Sequence, residues 1–178
     1  MADPVRNANQ DQLYEEAAAT YGAALERLAR AYEANPDLRQ DLLQEIHLAL
    51  WRSFEKFAQR CSLRTWIYQV AHNVAASHVL RQQRTYAGLV SLEEIEAIPM
   101  PAEGELGVDR STALERLLRL IQRLKPVDRQ VILSYLEGLD AASIGEITGI
   151  SAANVAMKIH RVKSILTRRF QKGGQHAG

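Results

Sequence analysis

Residues 140–166, DAASIGEITGISAANVAMKIHRVKSIL, decide how this chain is read. Asp140 is a good N-cap because its carboxylate can accept orphan backbone N–H groups of a new helix. Ile144 and Ile147 are three apart and share a helix face. Gly149 can adopt the left-handed conformation that ends a helix, and Ser151 then caps a second one. Val155, Ile159 and Val162 fall at i, i+4 and i+7, an apolar stripe. The opposite side presents Ala153, Asn154, Met157, His160, Arg161, Ser164 and Arg168, flanked by Lys158 and Lys163. Two helices, a tight turn and a polar second helix form a helix-turn-helix pattern. Many helical hairpins with no DNA role share a glycine turn and a polar face. Two details favour a DNA reader. Ala152, Ala153 and Ala156 are small enough to let the helix start approach a groove. The charge is also one-sided, with no acid from residue 147 onward; such cations supply nonspecific affinity for phosphates.

Working outward, charge is distributed unevenly although the net value is only +1. Residues 1–84 carry ten basic and ten acidic groups, residues 85–111 one and six, and residues 112–178 eleven and five. Asymmetry of this kind points to nucleic acid more than the total does. Good helix formers dominate and β-branched runs are absent, so the expected class is all-α. The 178 residues suit one large domain or two small ones.

The first amphipathic helix spans about 11–33, with Leu13, Ala17, Tyr21, Ala24, Leu25, Leu28 and Tyr32 at helical spacing. Asn35-Pro36 starts a second, with Leu38, Leu42, Ile46, Ala49, Leu50 and Phe57 inward and Asp41, Gln44, Glu45, Leu48 and Arg52 outward. After a break at 58–62, a third helix runs from Leu63 to about Arg84, with Ile67, Val70, Ala71, Val74 and His78 along its core side. Residues 86–111 contain Gly88, Pro99, Pro101, Gly104, Gly107 and scattered acids, the composition of a mobile or extended linker rather than a packed segment. Leu114, Leu117, Leu118, Ile121 and Leu124 make the next helix. Pro126 restarts the chain, and Val127, Val131, Ile132, Tyr135 and Leu136 make another. The expected architecture is two small helical domains, 12–85 and 112–171, joined by a flexible acidic linker.

Other function classes find little support. The five histidines (47, 72, 78, 160 and 176) have no metal-ligand spacing with Cys61, and no phosphate-cradling glycine motif is present, so catalysis, a metal, a cofactor and a small-molecule substrate are not expected. One cysteine excludes an internal disulfide framework. No run approaches the roughly 20 apolar residues needed to span a bilayer, so the expected location is the cytoplasm without membrane insertion.

Three motifs in order give the pattern a closer identity. DLLQEIHLALWRSFEKF (41–57), RTWIYQVAHNVAASHVLRQQR (64–84) and LERLLRLIQRLKPVDRQVILSYLEGLDAASIGEITGISAANVAMKIHRVKSIL (114–166) resemble regions 2.2–2.3, 2.4 and 4 of the extracytoplasmic-function (ECF) sigma factors of the sigma-70 superfamily. The resemblance implies a subunit that directs bacterial RNA polymerase core to promoters and initiates transcription. It implies that Asp41, Gln44, Glu45 and Leu48, with Trp51 nearby, dock on the clamp helices of the largest subunit, and that the first helices of the second domain meet the flap. The break around Arg60, Cys61 and Ser62 would capture a flipped base of the minus-ten element. Tyr68, Gln69, His72, Asn73, Ala76 and Gln83, on or beside the face away from the core stripe, would line the same element. Trp66 reads as core. The start of the final helix would read the minus-thirty-five element in the major groove through Ser151, Ala153, Asn154, Met157, Lys158, His160 and Arg161, with Arg168 and Arg169 on phosphates. An anti-sigma factor is an expected partner.

The chain departs from the family at Gln69 and His72, where arginine is common, at Arg81-Gln-Gln-Arg84, and at Ala156 and Met157, where lysine and serine are common. Fewer cations imply a weaker phosphate contribution at the downstream element, and His72 reads as a neutral polar contact. The acidic linker reads equally as a solubilising spacer or as a nucleic-acid mimic in the polymerase RNA channels. Two further readings of the residues stay open: a conventional regulator that binds an operator without polymerase, and a helical adaptor that never touches DNA.

Overall fold

The computed structural model describes residues 4–82, 88–97 and 110–170. Among these the chain forms eight α-helices: α1 (Pro4–Tyr32), α2 (Pro36–Phe54), α3 (Leu63–Arg81), α4 (Leu92–Ala97), α5 (Arg110–Gln122), α6 (Pro126–Leu136), α7 (Ala141–Thr148) and α8 (Ala152–Phe170). The all-α expectation holds.

Local chemistry sets most boundaries. Asn35 Oδ1 accepts from the N–H groups of Asp37 and Leu38, and Pro36 opens α2 where a missing N–H costs nothing. Ser62 Oγ accepts from Thr65 N–H at 3.0 Å to start α3. Asp140 Oδ1 accepts from Ser143 N–H at 2.8 Å, Gly149 ends α7 at φ +75°, and Ser151 Oγ accepts from Asn154 N–H at 3.2 Å.

Helices α1 to α3 pack together, and α5 to α8 form a second unit docked against them. One apolar cluster unites Ala17, Leu25, Leu28, Leu42, Ile46, Leu50 and Ile67 of the first unit with Val131, Leu139, Ile144, Ile147 and Val155 of the second. A second cluster joins Ala31 of α1 to Ile121, Leu124, Ile132, Val162 and Ile165. Each fully buried Leu or Ile contributes about 1.5–3 kcal/mol, so the contact between the units is held by the same force as the units themselves.

The linker expectation needs correction. Gly88 to Ala97 is packed, not extended. Ser91 and Glu94 form a capping box, with Glu94 N–H donating to Ser91 Oγ (3.2 Å) and Ser91 N–H to Glu94 Oε2 (2.6 Å). Leu92 and Ile95 of the resulting α4 are 1% and 3% exposed in the second cluster. Val90 makes a short parallel bridge with Leu124, its N–H donating to Arg123 O (2.8 Å) and its carbonyl accepting from Lys125 N–H (2.9 Å). Residues 98–109 lie outside the described residues. Leu114, Val127 and Leu136, expected inward, are 53%, 40% and 45% exposed. In their place α6 buries Asp128, Arg129 and Ser134.

Candidate nucleic-acid interface

The α7–α8 hairpin presents the expected surface. A Cβ at Gly145 would lie 2.9 Å from Ile150 O, so the backbone crosses here at a distance only glycine allows. The turn therefore depends on two glycines: Gly149 for its φ, Gly145 for close approach. Beyond it, Val155, Val162 and Ile165 point inward, while Ser151, Ala153, Asn154, Met157 and His160 are exposed. These five share the free N-terminal part of the helix, where base edges are read in helix-turn-helix proteins.

The cations beside them are engaged. Lys158 Nζ lies 2.6 Å from Asp128 Oδ1 and 3.4 Å from Glu93 Oε1. Arg161 reaches Glu93 at 3.0 Å and Glu96 at 3.4 Å. Arg168 reaches Glu96 at 3.8 Å and donates to its carbonyl oxygen at 3.2 Å. Burial alone would raise the Glu93 carboxyl, but its hydrogen bonding and the charges of Lys158 and Arg161 outweigh this and hold it below the ordinary value. The side chain of Arg169 lies outside the described residues.

On α3 the placement differs from the sequence expectation. Tyr68 and His72, assigned to an outward face, are 2% and 0% exposed. The helix is sandwiched: α1 and α2 cover the predicted core side, and α6 and α7 cover the other. His72 Nδ1 pairs with Tyr32 OH (3.1 Å) and Nε2 with Ser134 Oγ (3.2 Å). One ring thus bridges α1, α3 and α6. Burial lowers its pKa from 6.5 to about 3, so the imidazole is neutral, donating at one nitrogen and accepting at the other. Tyr68 OH donates to Glu137 Oε2 at 3.2 Å, and Gln69 Nε2 donates to Glu146 O at 3.4 Å. Asn73 is exposed and Ala76 half-buried, while Gln83 and Arg84 lie outside the described residues.

The α2–α3 connection keeps Arg60 and Ser62 exposed and Cys61 half-buried, with Gln59 at φ +54°. Burial, with Glu146 nearby, pushes the Cys61 thiol up, which disfavours the reactive thiolate. Trp66 stacks at 5.3 Å on Phe57 and donates to Ser53 Oγ, a packing role.

On α2, Asp41, Gln44, Glu45 and Leu48 line one exposed strip, with Leu48 47% exposed. Trp51 lies beside it, its Nε1 donating to Asp11 Oδ1 at 2.7 Å. Glu45 also pairs with Arg81 at 2.6 Å.

Sequence reasoning missed the groups that join the two units. Arg129 is 1% exposed; it donates to Tyr32 O, Gln122 O and Leu124 O and stacks 4.9 Å from the Tyr32 ring centroid. Glu137 accepts two bonds from Arg27 (2.8 and 2.9 Å), and its carbonyl accepts from Arg64. The Arg27 hydrogen bond leads in holding the Glu137 carboxyl below its usual value. A charged residue in α6 gives no sequence signal of a partner some 97 positions away.

Comparison with known proteins places the arrangement. Residues 18–85 match Sigma-70 region 2 and residues 114–166 match Sigma-70, region 4. The chain is 34% identical over 129 residues to RNA polymerase sigma factor CarQ of Myxococcus xanthus, covering 71% of each chain. It is 24% identical over 143 residues to ECF RNA polymerase sigma factor SigW of Bacillus subtilis, covering 74% of this chain and 75% of that one. A solved structure of CnrH in complex with the cytosolic domain of CnrY superposes with a TM-score of 0.64 at 18% identity, over 97% of this chain and 99% of that one. With a region 2 match on α1–α3, a region 4 match on the helix-turn-helix unit and ECF sigma factors among its relatives, this chain belongs to the sigma-70 family as a member of the ECF subfamily.

Proposed function

We propose that this ECF sigma factor docks on RNA polymerase core through α2, reads the minus-ten element with α3 and the loop before it, and reads the minus-thirty-five element with the start of α8. The observation that carries the reading is the α7–α8 hairpin, whose capped, glycine-dependent turn leaves Ser151, Ala153, Asn154, Met157 and His160 exposed. The exposed strip of Asp41, Gln44, Glu45 and Leu48 supports core docking on the clamp helices. Binding and positioning account for this role without catalysis by the chain, and it is carried out in the cytoplasm; no helix among the described residues is long and apolar enough to cross a membrane.

Promoter reading requires the closed arrangement to open. Tyr68, Gln69 and His72 meet α6 and α7 here, so minus-ten DNA gains access only once the second unit leaves α3. Asn73, Ala76, Arg60, Cys61 and Ser62 then complete the downstream surface. An anti-sigma factor that holds the two units together fits this scheme, and the structurally similar CnrH is solved in complex with the cytosolic domain of CnrY.

The test is co-elution with core polymerase. The wild-type chain forms a complex. Asp41→Lys with Glu45→Lys abolishes it with unchanged helix content, because both residues are exposed and the Glu45–Arg81 surface pair contributes about 0–1 kcal/mol. Complex formation by the double variant contradicts the assigned docking strip.

A further inference from the structure

We propose that α4 is an internal acidic strap that occupies the cations of the recognition helix in the closed chain and is displaced when α8 engages DNA. The proposal rests on the reading of α8 as the DNA-binding helix.

Two kinds of contact seat the strap. Leu92 and Ile95 insert beside Val162 and Ile165 of α8. The N–H of Leu92 donates to Asp128 Oδ2 at 3.0 Å, and that carboxylate's other oxygen holds Lys158. The polar contacts then run along one side of α8. Glu93 takes Lys158 and Arg161, and Glu96 takes Arg161 and Arg168. Two carboxylates therefore face three cations on a helix that carries no acid of its own. Met157 and His160 line an open groove with Glu96 and Arg161, so the acidic side chain reaches the edge of the base-reading surface.

These pairs are suited to exchange. Apart from the Lys158–Asp128 contact, each involves a partly exposed cation and a carboxylate 34–42% exposed, and such pairs contribute about 0–1 kcal/mol apiece. DNA phosphates offer the same cations the same hydrogen-bonding chemistry with counterion release in addition. The strap thus lowers stray DNA affinity of the closed chain without a large barrier to release.

The experiment measures binding of the full chain to a mixed-sequence DNA duplex across a salt series by fluorescence anisotropy. Glu93→Gln with Glu96→Gln strengthens binding roughly tenfold at low salt and steepens the log–log salt slope by about two, since each freed phosphate contact adds about 0.9. Glu15→Gln with Glu16→Gln, on the exposed face of α1, makes the same change in net charge and leaves the slope unaltered. Adding Arg161→Ala to the strap variant removes about one unit of slope. Glu93→Gln alone, the milder change, gives an intermediate slope. If the strap variants match the α1 control, or if Arg161→Ala leaves their gain intact, the strap is overturned. Promoter-dependent transcription by the wild-type chain with core polymerase, measured on the same preparations, separates the two ideas: its absence overturns the underlying reading, whatever the strap variants show.

Discussion

At the scale of single residues, His72 makes closure sensitive to pH. Its ring nitrogens are shared between Tyr32 of α1 and Ser134 of α6, and burial lowers its pKa to about 3. An imidazole freed by opening returns towards 6.5. Above that value both states are neutral and closure is unaffected. As pH falls from 6.5 towards 3 the opened chain takes up a proton that the closed chain refuses, so closure weakens. Between pH 7 and pH 5 the loss from this group is about 2 kcal/mol. Denaturant unfolding of His72→Gln at the two values checks this: the variant is weaker at pH 7 for want of the Tyr32 contact, and its further loss at pH 5 is smaller than that of the wild type by about 2 kcal/mol. Identical pH dependence in the two proteins contradicts the assignment. The same position shows the limit of periodicity. His72 and Tyr68 lie off the apolar stripe of α3, yet both touch α1, through Tyr32 and Tyr21, and both are buried. The second buried face exists because α6 and α7 pack on it, and a long-range contact leaves no mark in the local pattern.

At the scale of elements, legibility follows capping chemistry. The starts of α2, α3 and α7 and the turn before α8 were readable because Asn35, Ser62, Asp140, Gly149 and Ser151 act on backbone groups within a few residues. By the same rule α4 was readable: Ser91-Leu-Glu-Glu94 is a capping box, and Leu92 and Ile95 are spaced for one helix face. The glycines, prolines and acids around it gave the segment the composition of a tether and outweighed six residues of pattern. Gly145 is the converse case. It looks like a weak point inside α7, yet its missing side chain lets Ile150 O approach. Gly145→Ala gains up to about 1 kcal/mol of helix propensity and forces a backbone clash costing about 1–3 kcal/mol. The expected net effect is destabilisation, read as a lower thermal midpoint together with weaker duplex binding. A midpoint raised above the wild type contradicts the close approach.

At the scale of the molecule, the two family regions were legible as separate helical units, while their union was not. Val131, Leu139, Ile144, Ile147 and Val155 look sufficient to core a small helical domain, and they do so while also closing the α1–α3 unit. Arg129 adds a buried guanidinium whose partners include Tyr32 O across the junction. The outcome is a sigma factor whose proposed upstream-reading residues are partly free and whose proposed downstream-reading residues are partly covered. Its candidate polymerase strip on α2 stays outside. That ordering suits a protein that meets core polymerase first and opens on it.

Transcription in vitro tests this most directly. Core RNA polymerase with the purified chain, supplied with genomic-library templates, is expected to yield transcripts absent with core alone, their start points lying downstream of a shared pair of sequence elements. If no template gives a promoter-dependent transcript, the chain does not direct initiation and the account fails.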